Sequence, residues 1–287
     1  MTVHVRAATP SDAEMCGRIM FEAFQDVAGR HGFSPDFPAV EVGTQLAQSF
    51  IAHPDIFGVV AEANGRVVGS NFLMERDPIR GVGPITVEPH AQGVGIGRRL
   101  MEAVLERGSG AAGIRLLQDA FNMRSLSLYA SLGFEVREPV LVMSGRPVSK
   151  PPEGTTVRTM TEQDLDACDA LSTRIHGFPR SGELADAVRF LAPVVGEIDG
   201  RVTGYLTAPT FWIANHGVAE TEDHMKALIL GAGAAHEQPL SFLLPLQQAN
   251  LFRWCLDQGL KAMKPMTLMT MGEYRAPNGS YLPSVFY

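Results

Sequence analysis

Val87-Glu88-Pro89-His90-Ala91-Gln92-Gly93-Val94-Gly95-Ile96-Gly97-Arg98-Arg99-Leu100 decides the reading of this chain. Pro84 to Val87 is strand-like and Gly95 to about Arg107 has a helical pattern, so a strand runs into a glycine turn that opens a helix. Glycine lets the backbone come close to a ligand, and a helix start presents N–H groups without intrahelical partners and a partial positive charge. That arrangement suits a pyrophosphate. A purely structural turn fits the same residues. A Rossmann-type dinucleotide site fits poorly, because no acidic residue ends a following parallel strand at the expected spacing. A Walker loop fails, because no Lys-Ser/Thr pair follows the glycines.

Outward from the turn the chain reads as mixed α/β. A short strand at the N-terminus leads to Thr9-Pro10-Ser11-Asp12, a capped helix start. Phe57 to Ala61 and Arg66 to Met74 flank Asn64-Gly65, whose residues tolerate the positive φ angles of a tight hairpin. After the helix from Gly95 come a strand over Ile114 to Ala120 and a helix over Arg124 to Leu132, stopped by Gly133. Phe134 to Met143 gives the closing strands. The predicted order is β, α, β, β, β, α, β, α, β.

The same signals then recur. Arg6-x-x-Thr9-x-x-Asp12-x-x-x-Cys16 returns as Arg158-x-x-Thr161-x-x-Asp164-x-x-x-Cys168, and the Val59 to Gly69 hairpin returns as Val194 to Gly204. Gly133, Pro139 and Met143 match Gly259, Pro265 and Met269. Self-similarity in fixed order indicates two copies of one fold, with deletions in the second copy's connections. Residues 1–149 form the first copy, 150–154 a linker around Pro151-Pro152, and 155–287 the second.

Length and composition agree. The chain has 287 residues, 45% hydrophobic and 19% charged, which suits two soluble domains. No run approaches the roughly 18 apolar residues of a membrane span. A formal charge of −7 without Lys/Arg runs argues against nucleic acid and mildly favours a cationic substrate. Cys16, Cys168 and Cys255 are scattered, make no metal spacing and read as packed thiols, and no metal is expected. The N-terminus has no signal pattern, so a cytoplasmic protein is expected, as monomer or homodimer.

Gln92-x-x-Gly95-x-Gly97, followed one helix and one strand later by Asn122-x-x-Ser125-x-x-Leu128-Tyr129-x-x-Leu132-Gly133-Phe134, resembles the two sequence blocks of the GNAT-type N-acetyltransferase superfamily. The resemblance covers residues 1 to about 146, and extends to the second copy only through the duplication and a general similarity to tandem bacterial members. It implies two tandem GNAT-like domains, each a mixed, mostly antiparallel sheet flanked by helices, with acetyl-CoA as co-substrate. Pantetheine would pair along Ile85, Thr86 and Val87, and the Val87 N–H would hold the thioester oxygen. Backbone N–H groups of Gln92, Gly93, Val94, Gly95, Ile96, Gly97 and Arg98 would hold the pyrophosphate. Asn122 would bond the pantetheine arm, with Ser125 nearby. Tyr129 would face the sulfur and protonate the leaving thiolate. A packed aromatic on an amphipathic helix is the other reading of Tyr129.

The general base is missing. The family's early-strand glutamate falls here on Gly81. Glu75, Asp77, Glu88 and Asp119 are alternatives, as is a water chain. The second copy lacks the site: its turn reads Gly217-Val218-Ala219-Glu220-Thr221-Glu222-Asp223-His224, and Asn122, Ser125 and Tyr129 become Gln248, Leu251 and Cys255. Three carboxylates at a helix start would repel pyrophosphate. Candidate acceptor contacts are Glu75, His176, Arg180, Trp212, His216, Tyr274 and Tyr281. The loop His176-Gly177-Phe178-Pro179-Arg180 is expected to tolerate substitution as a surface does. The implied activity is acyl transfer to an amine of a small molecule. A protein lysine or N-terminus, a hydroxyl acceptor, or a CoA-binding sensor without turnover are the alternatives.

Overall fold

Two stretches far apart in sequence build the same local frame. Arg6 donates to both Asp12 oxygens (2.8 and 2.9 Å) and to Glu62 (3.0 Å), and Arg158 donates to both Asp164 oxygens (2.8 and 2.7 Å) and to Glu197 (2.6 Å). In each, the aspartate also accepts the N–H and hydroxyl of the preceding threonine, Thr9 or Thr161, and so fixes the entry into the next helix.

The structure is a computed structural model that describes residues 2–286. In chain order it contains β1 (Val3–Ala7), α1 (Ala13–His31), α2 (Val40–Ala52), β2 (Ile56–Ala63), β3 (Arg66–Met74), β4 (Ile79–Val82), β5 (Thr86–Val87), α3 (Ile96–Arg107), β6 (Gly113–Asp119), α4 (Met123–Ser131) and β7 (Glu135–Gly145). There follow β8 (Thr155–Thr159), α5 (Leu165–His176), α6 (Ser181–Phe190), β9 (Val194–Ile198), β10 (Arg201–Leu206), β11 (Gly217–Ala219), α7 (Glu222–Ala235), β12 (Leu240–Pro245), α8 (Ala249–Asp257), β13 (Lys261–Gly272) and β14 (Ser280–Leu282). This is an α/β fold of mixed, mostly antiparallel sheet flanked by helices.

By contacts the chain falls into two units: Met1–Glu75 with Arg80–Ile114, and Arg76–Ile79 with Arg115–Tyr287. In the first, β1 pairs with β2, β2 with β3, and β3 with both β4 and β5, all antiparallel. In α3, Ile96, Leu100, Met101 and Val104 are the buried residues. In the second unit β6, β13, β7 and β12 are neighbours in that order, and a separate sheet runs β14-β11-β10-β9-β8. β13, the chain's last long strand, is inserted between β6 and β7, so the division into units does not fall at residues 150–154.

Several elements differ from the predicted order. A helix, α2, stands between α1 and β2. Gly17 and Gly43 let it lie close: a Cβ on Gly17 would meet Thr44 backbone at 2.3 Å. The strand expected over Pro84 to Val87 is reduced to β5, with Pro84 and Ile85 ahead of it, and a separate strand not expected there, β4, ends before Gly83. The closing strands over Phe134 to Met143 are one strand, β7. Both hairpin turns are as read: Asn64-Gly65 has φ 52° and 72°, and Asp199-Gly200 has 51° and 74°.

Candidate functional site

β5 is short because the chain must leave the sheet at once for the turn. Val87 pairs with Gly69 and Thr86 with Ser70. The Gln92 side chain returns to donate to the Val87 carbonyl at 3.0 Å, which latches the turn to the strand. Gly93 and Gly95 both have φ of +89°, a conformation that favours glycine. A Cβ on either would meet no atom within 4 Å, so the space above the turn is open to a ligand. The helical bonding of α3 begins with the Arg99 N–H donating to Gly95 at 3.2 Å, which leaves the turn ahead of it as the donor-rich end. No acidic residue stands in the first turn of α3, and Val94 is 66% exposed, pointing away from the core. These residues fit a pyrophosphate.

In the second unit, Asn122 caps α4 by accepting the Ser125 N–H at 3.2 Å, and the Ser125 hydroxyl donates to Gln118 at 2.9 Å. Among the residues of α4, Tyr129 is the buried one, set edge-on to Phe134 at 6.2 Å. Burial, and secondarily the nearby Asp119 carboxylate, push its phenol well above the usual tyrosine range, so it holds its proton at neutral pH. Leu126, Leu128 and Leu132 are only half-buried.

Each carboxylate considered as a base is already engaged. Glu75 accepts from Arg80 (2.8 Å) and Arg107 (2.9 Å). Asp77 accepts the N–H groups of Gly182 (2.9 Å) and Glu183 (3.1 Å), at the start of α6. Glu88 holds Arg66 bidentately (2.7 and 2.8 Å), and Asp119 holds Lys264 at 2.6 Å.

His176 and Arg180 require a correction. Both are fully buried, so these two positions are core and not tolerant surface sites, although Gly177 between them is exposed and Phe178 and Pro179 are half-buried. Arg180 pairs with Glu183, which also accepts the Ser284 hydroxyl at 3.0 Å. His176 Nε2 meets His216 Nε2 at 3.1 Å, and His216 Nδ1 meets the Tyr205 hydroxyl at 3.2 Å. Burial pushes both imidazoles well below their usual pKa, so both are neutral. Tyr281 crosses His176 edge-on at 5.3 Å, Tyr274 lies under Arg115 and Arg137, and Trp212 lies under Lys264 at 5.1 Å.

The start of α7 also differs from its reading. Glu220 is held by Arg201 and by Arg174 (2.7 Å), as Glu88 is held by Arg66, so it belongs to the sheet frame. Glu222 and Asp223 are the acids in the first turn, with Lys226 beside them, and Thr221 caps the His224 N–H at 3.1 Å. The edge of β11 is covered by β14, with Gly217, Val218 and Ala219 opposite Leu282, Tyr281 and Ser280. Gln248, ahead of α8, clamps that strand: it donates to the Tyr281 carbonyl (2.6 Å) and accepts the Tyr281 N–H (3.2 Å) and the Ser280 hydroxyl (2.6 Å).

All three cysteines are buried, and burial raises their thiols, Cys16 to about 11 and Cys168 and Cys255 to about 12, as suits packed thiols. Among the described residues no group of three His, Cys, Asp or Glu is placed to hold a metal ion, and no helix is long and apolar enough to cross a membrane.

Sequence reasoning missed Glu138 on β7, which is 3% exposed. Its signal is readable: it shares an alternating phase with Val140 and Val142, the apolar side of the strand.

Comparison with known proteins places this geometry. Residues 54–136 match the family model of the acetyltransferase (GNAT) domain. Over 78 residues the chain is 40% identical to a mycothiol acetyltransferase from Thermomonospora curvata, a match that spans 26% of this chain and 26% of that relative. A candidate acetyltransferase from Pyrococcus horikoshii has the same fold at TM-score 0.74 and 17% identity, over 96% of this chain and 93% of its own. A tandem GNAT protein from the clavulanic acid biosynthesis pathway does so at TM-score 0.59 and 14% identity, over 97% and 99%. The residues matched by that family model, 54–136, carry the glycine turn, α3 and α4.

Proposed function

We propose that this chain transfers an acetyl group from acetyl-CoA to the amine of a small molecule, binding one acetyl-CoA per chain. The glycine turn carries this reading: two left-handed glycines, open space above them and an α3 start free of acidic residues. The pyrophosphate would sit on that turn, through the backbone from Gln92 to Arg98, and pantetheine along Ile85, Thr86 and Val87. The amine attacks the thioester carbonyl, the C–N bond forms, the C–S bond breaks, the leaving sulfur takes a proton from Tyr129, and the proton shed by the new amide nitrogen restores the phenol. A phenol that stays protonated at neutral pH supports that role.

In this reading residues 1–149 are the catalytic copy and 155–287 a degenerate copy. Shared register supports the duplication: Val87 faces Gly69 as Ala219 faces Gly204. Loss of the second site is supported by β14, which lies on β11 where pantetheine would lie on β5, and by Gln248, which bonds that strand from the position of Asn122.

The test is calorimetry with acetyl-CoA, then turnover with a panel of primary amines for the wild type and Tyr129→Phe. One site per chain is expected, with kcat lowered roughly 10²-fold in Tyr129→Phe and acetyl-CoA affinity nearly unchanged. Two equivalent sites would refute the degenerate copy. Wild-type turnover in Tyr129→Phe would assign thiolate protonation to water.

A further inference from the structure

One face of the sheet β6-β13-β7-β12 carries four buried ionisable side chains: Arg115 (1% exposed), Asp119 (8%), Lys264 (7%) and Glu138 (3%). The register sets this face. Lys264, Met266 and Leu268 of β13 stand opposite Val142, Val140 and Glu138 of β7. Val140, Val142, Met266 and Leu268 join one apolar cluster, against which Leu117, Phe178 and Trp212 pack. Glu138 therefore points into an apolar, aromatic-covered layer.

Three of the four charges are compensated. Asp119 and Lys264 pair at 2.6 Å, Lys264 also lies over Trp212, and Arg115 lies over the rings of Phe178 and Tyr274. Among the described residues no hydrogen bond or ion pair reaches the Glu138 carboxylate, whose oxygens are not fully enclosed. A carboxylate largely withdrawn from water without a partner is costly in its charged form, and a cation brought to it would offset that cost. The reaction proposed above needs such a group. An alkylammonium with a pKa near 10 must lose a proton before attack, and the other four candidate carboxylates are held by arginine, lysine or backbone N–H groups.

We propose that Glu138 is the proton acceptor for the amine, its carboxylate receiving the acceptor's ammonium group on this face and taking the proton the nitrogen must lose. The inference rests on the reading of the chain as an amine acetyltransferase. The exchange balances: R–NH3+ and the carboxylate give R–NH2 and the carboxylic acid, which returns its proton to solvent after the acetyl group has moved. Burial pushes Glu138 up to about 7, near the operating pH of a general base. The charged groups sharing its face are Arg115 and Asp119 of β6 and Lys264 of β13, and the packed segments containing Phe178 and Trp212 contribute aromatic rings to it.

The experiment measures acetyl-CoA affinity by calorimetry, and kcat/KM with n-butylamine, phenethylamine and spermidine from pH 6 to 10, for wild type and Glu138→Gln. Unchanged acetyl-CoA affinity is expected, with kcat/KM at pH 7 roughly 10²-fold lower. The wild-type acid limb near pH 7 should be missing in the variant, and the gap should close toward pH 10, where the amine deprotonates unaided. Wild-type kcat/KM at pH 7 in Glu138→Gln, or a deficit equal at every pH, would overturn the inference while leaving the acetyltransferase reading standing. A wild type that binds acetyl-CoA but acetylates none of the amines sinks the amine reading, and this inference with it. A measurement on the unaltered protein guards against misfolding of the variant. Carboxyl NMR of labelled Glu138 should show its titration move to lower pH as n-butylammonium is added, and an unmoved titration counts against the proposal.

Discussion

α3 and α7 both follow a short inner strand, yet their beginnings are finished in opposite ways. At α3 the chain turns through Gly93 and Gly95 and leaves open space, and no acid stands in the first helical turn. At α7 the cap is Thr221, the first turn carries Glu222 and Asp223, and Lys226 bonds to both. The strands differ in the same sense. β11 is covered by β14 and clamped through Gln248, whereas the residue at the matching place ahead of α4, Asn122, caps its own helix. The frame is otherwise alike, down to Glu88 with Arg66 and Glu220 with Arg201. In the proposed reading a binding end is made less by the scaffold than by what the chain declines to fill, and at α7 the chain supplies its own strand, cap and countercharge.

The largest effect that could break this comparison is at Gly95. Glu in its place would have to adopt φ near +89° and would put a side chain and a negative charge into the open space above the turn. Acetyl-CoA affinity should fall by roughly 10²-fold or more, read by calorimetry against an unchanged circular-dichroism spectrum. Affinity like that of the wild type would make the turn structural and remove the contrast with α7.

Next in size is Arg180. The sequence reading expected substitutions around it to be nearly neutral, but it is fully buried against Glu183. Removing one partner leaves a buried carboxylate uncompensated, so Arg180→Ala should cost about 3–5 kcal/mol in denaturant unfolding. If it costs less than about 0.5 kcal/mol, the buried polar groups of the second region are no part of its frame and stand available for acceptor binding.

What was legible in the sequence follows from what is local. Asn64-Gly65 and Asp199-Gly200 announce their hairpins because φ preference belongs to the residue itself, and Gly133 and Gly259 end α4 and α8 for the same reason. The glycine turn, α3 and the alignment of Asn122 with Gln248 could be read likewise. Features set by distant contacts could not. α2 depends on the approach of Gly43 to Gly17, and the insertion of β13 between β6 and β7 has no local signal. The burial of His176 and Arg180 depends on His216 and Ser284, which come from far along the chain. Glu138 lies between these cases. Its phase with Val140 and Val142 was readable, but its isolation is a property of the packed face.

The smallest expected effect bears on the part of the comparison where the two regions agree. Asp12 and Asp164 are each lowered from 3.8 to about 2, first through hydrogen bonds from Arg6 and Arg158. A folded pKa below the unfolded one means the folded state binds the proton less readily. Each pair's stabilisation is therefore complete above the unfolded value near 4 and is lost as pH falls toward 2. Arg6 and Arg158 are about a third exposed, so solvent screens much of the attraction, and Asp12→Asn or Asp164→Asn should cost no more than about 1 kcal/mol at pH 7. If the regions are built alike, the two variants should lose the same stability within about 0.5 kcal/mol and show matching, flattened acid-unfolding curves below pH 4. A cost confined to one of them would show that the shared ion-pair geometry does different work in the two regions, and the similarity of their frames would then stop at the backbone.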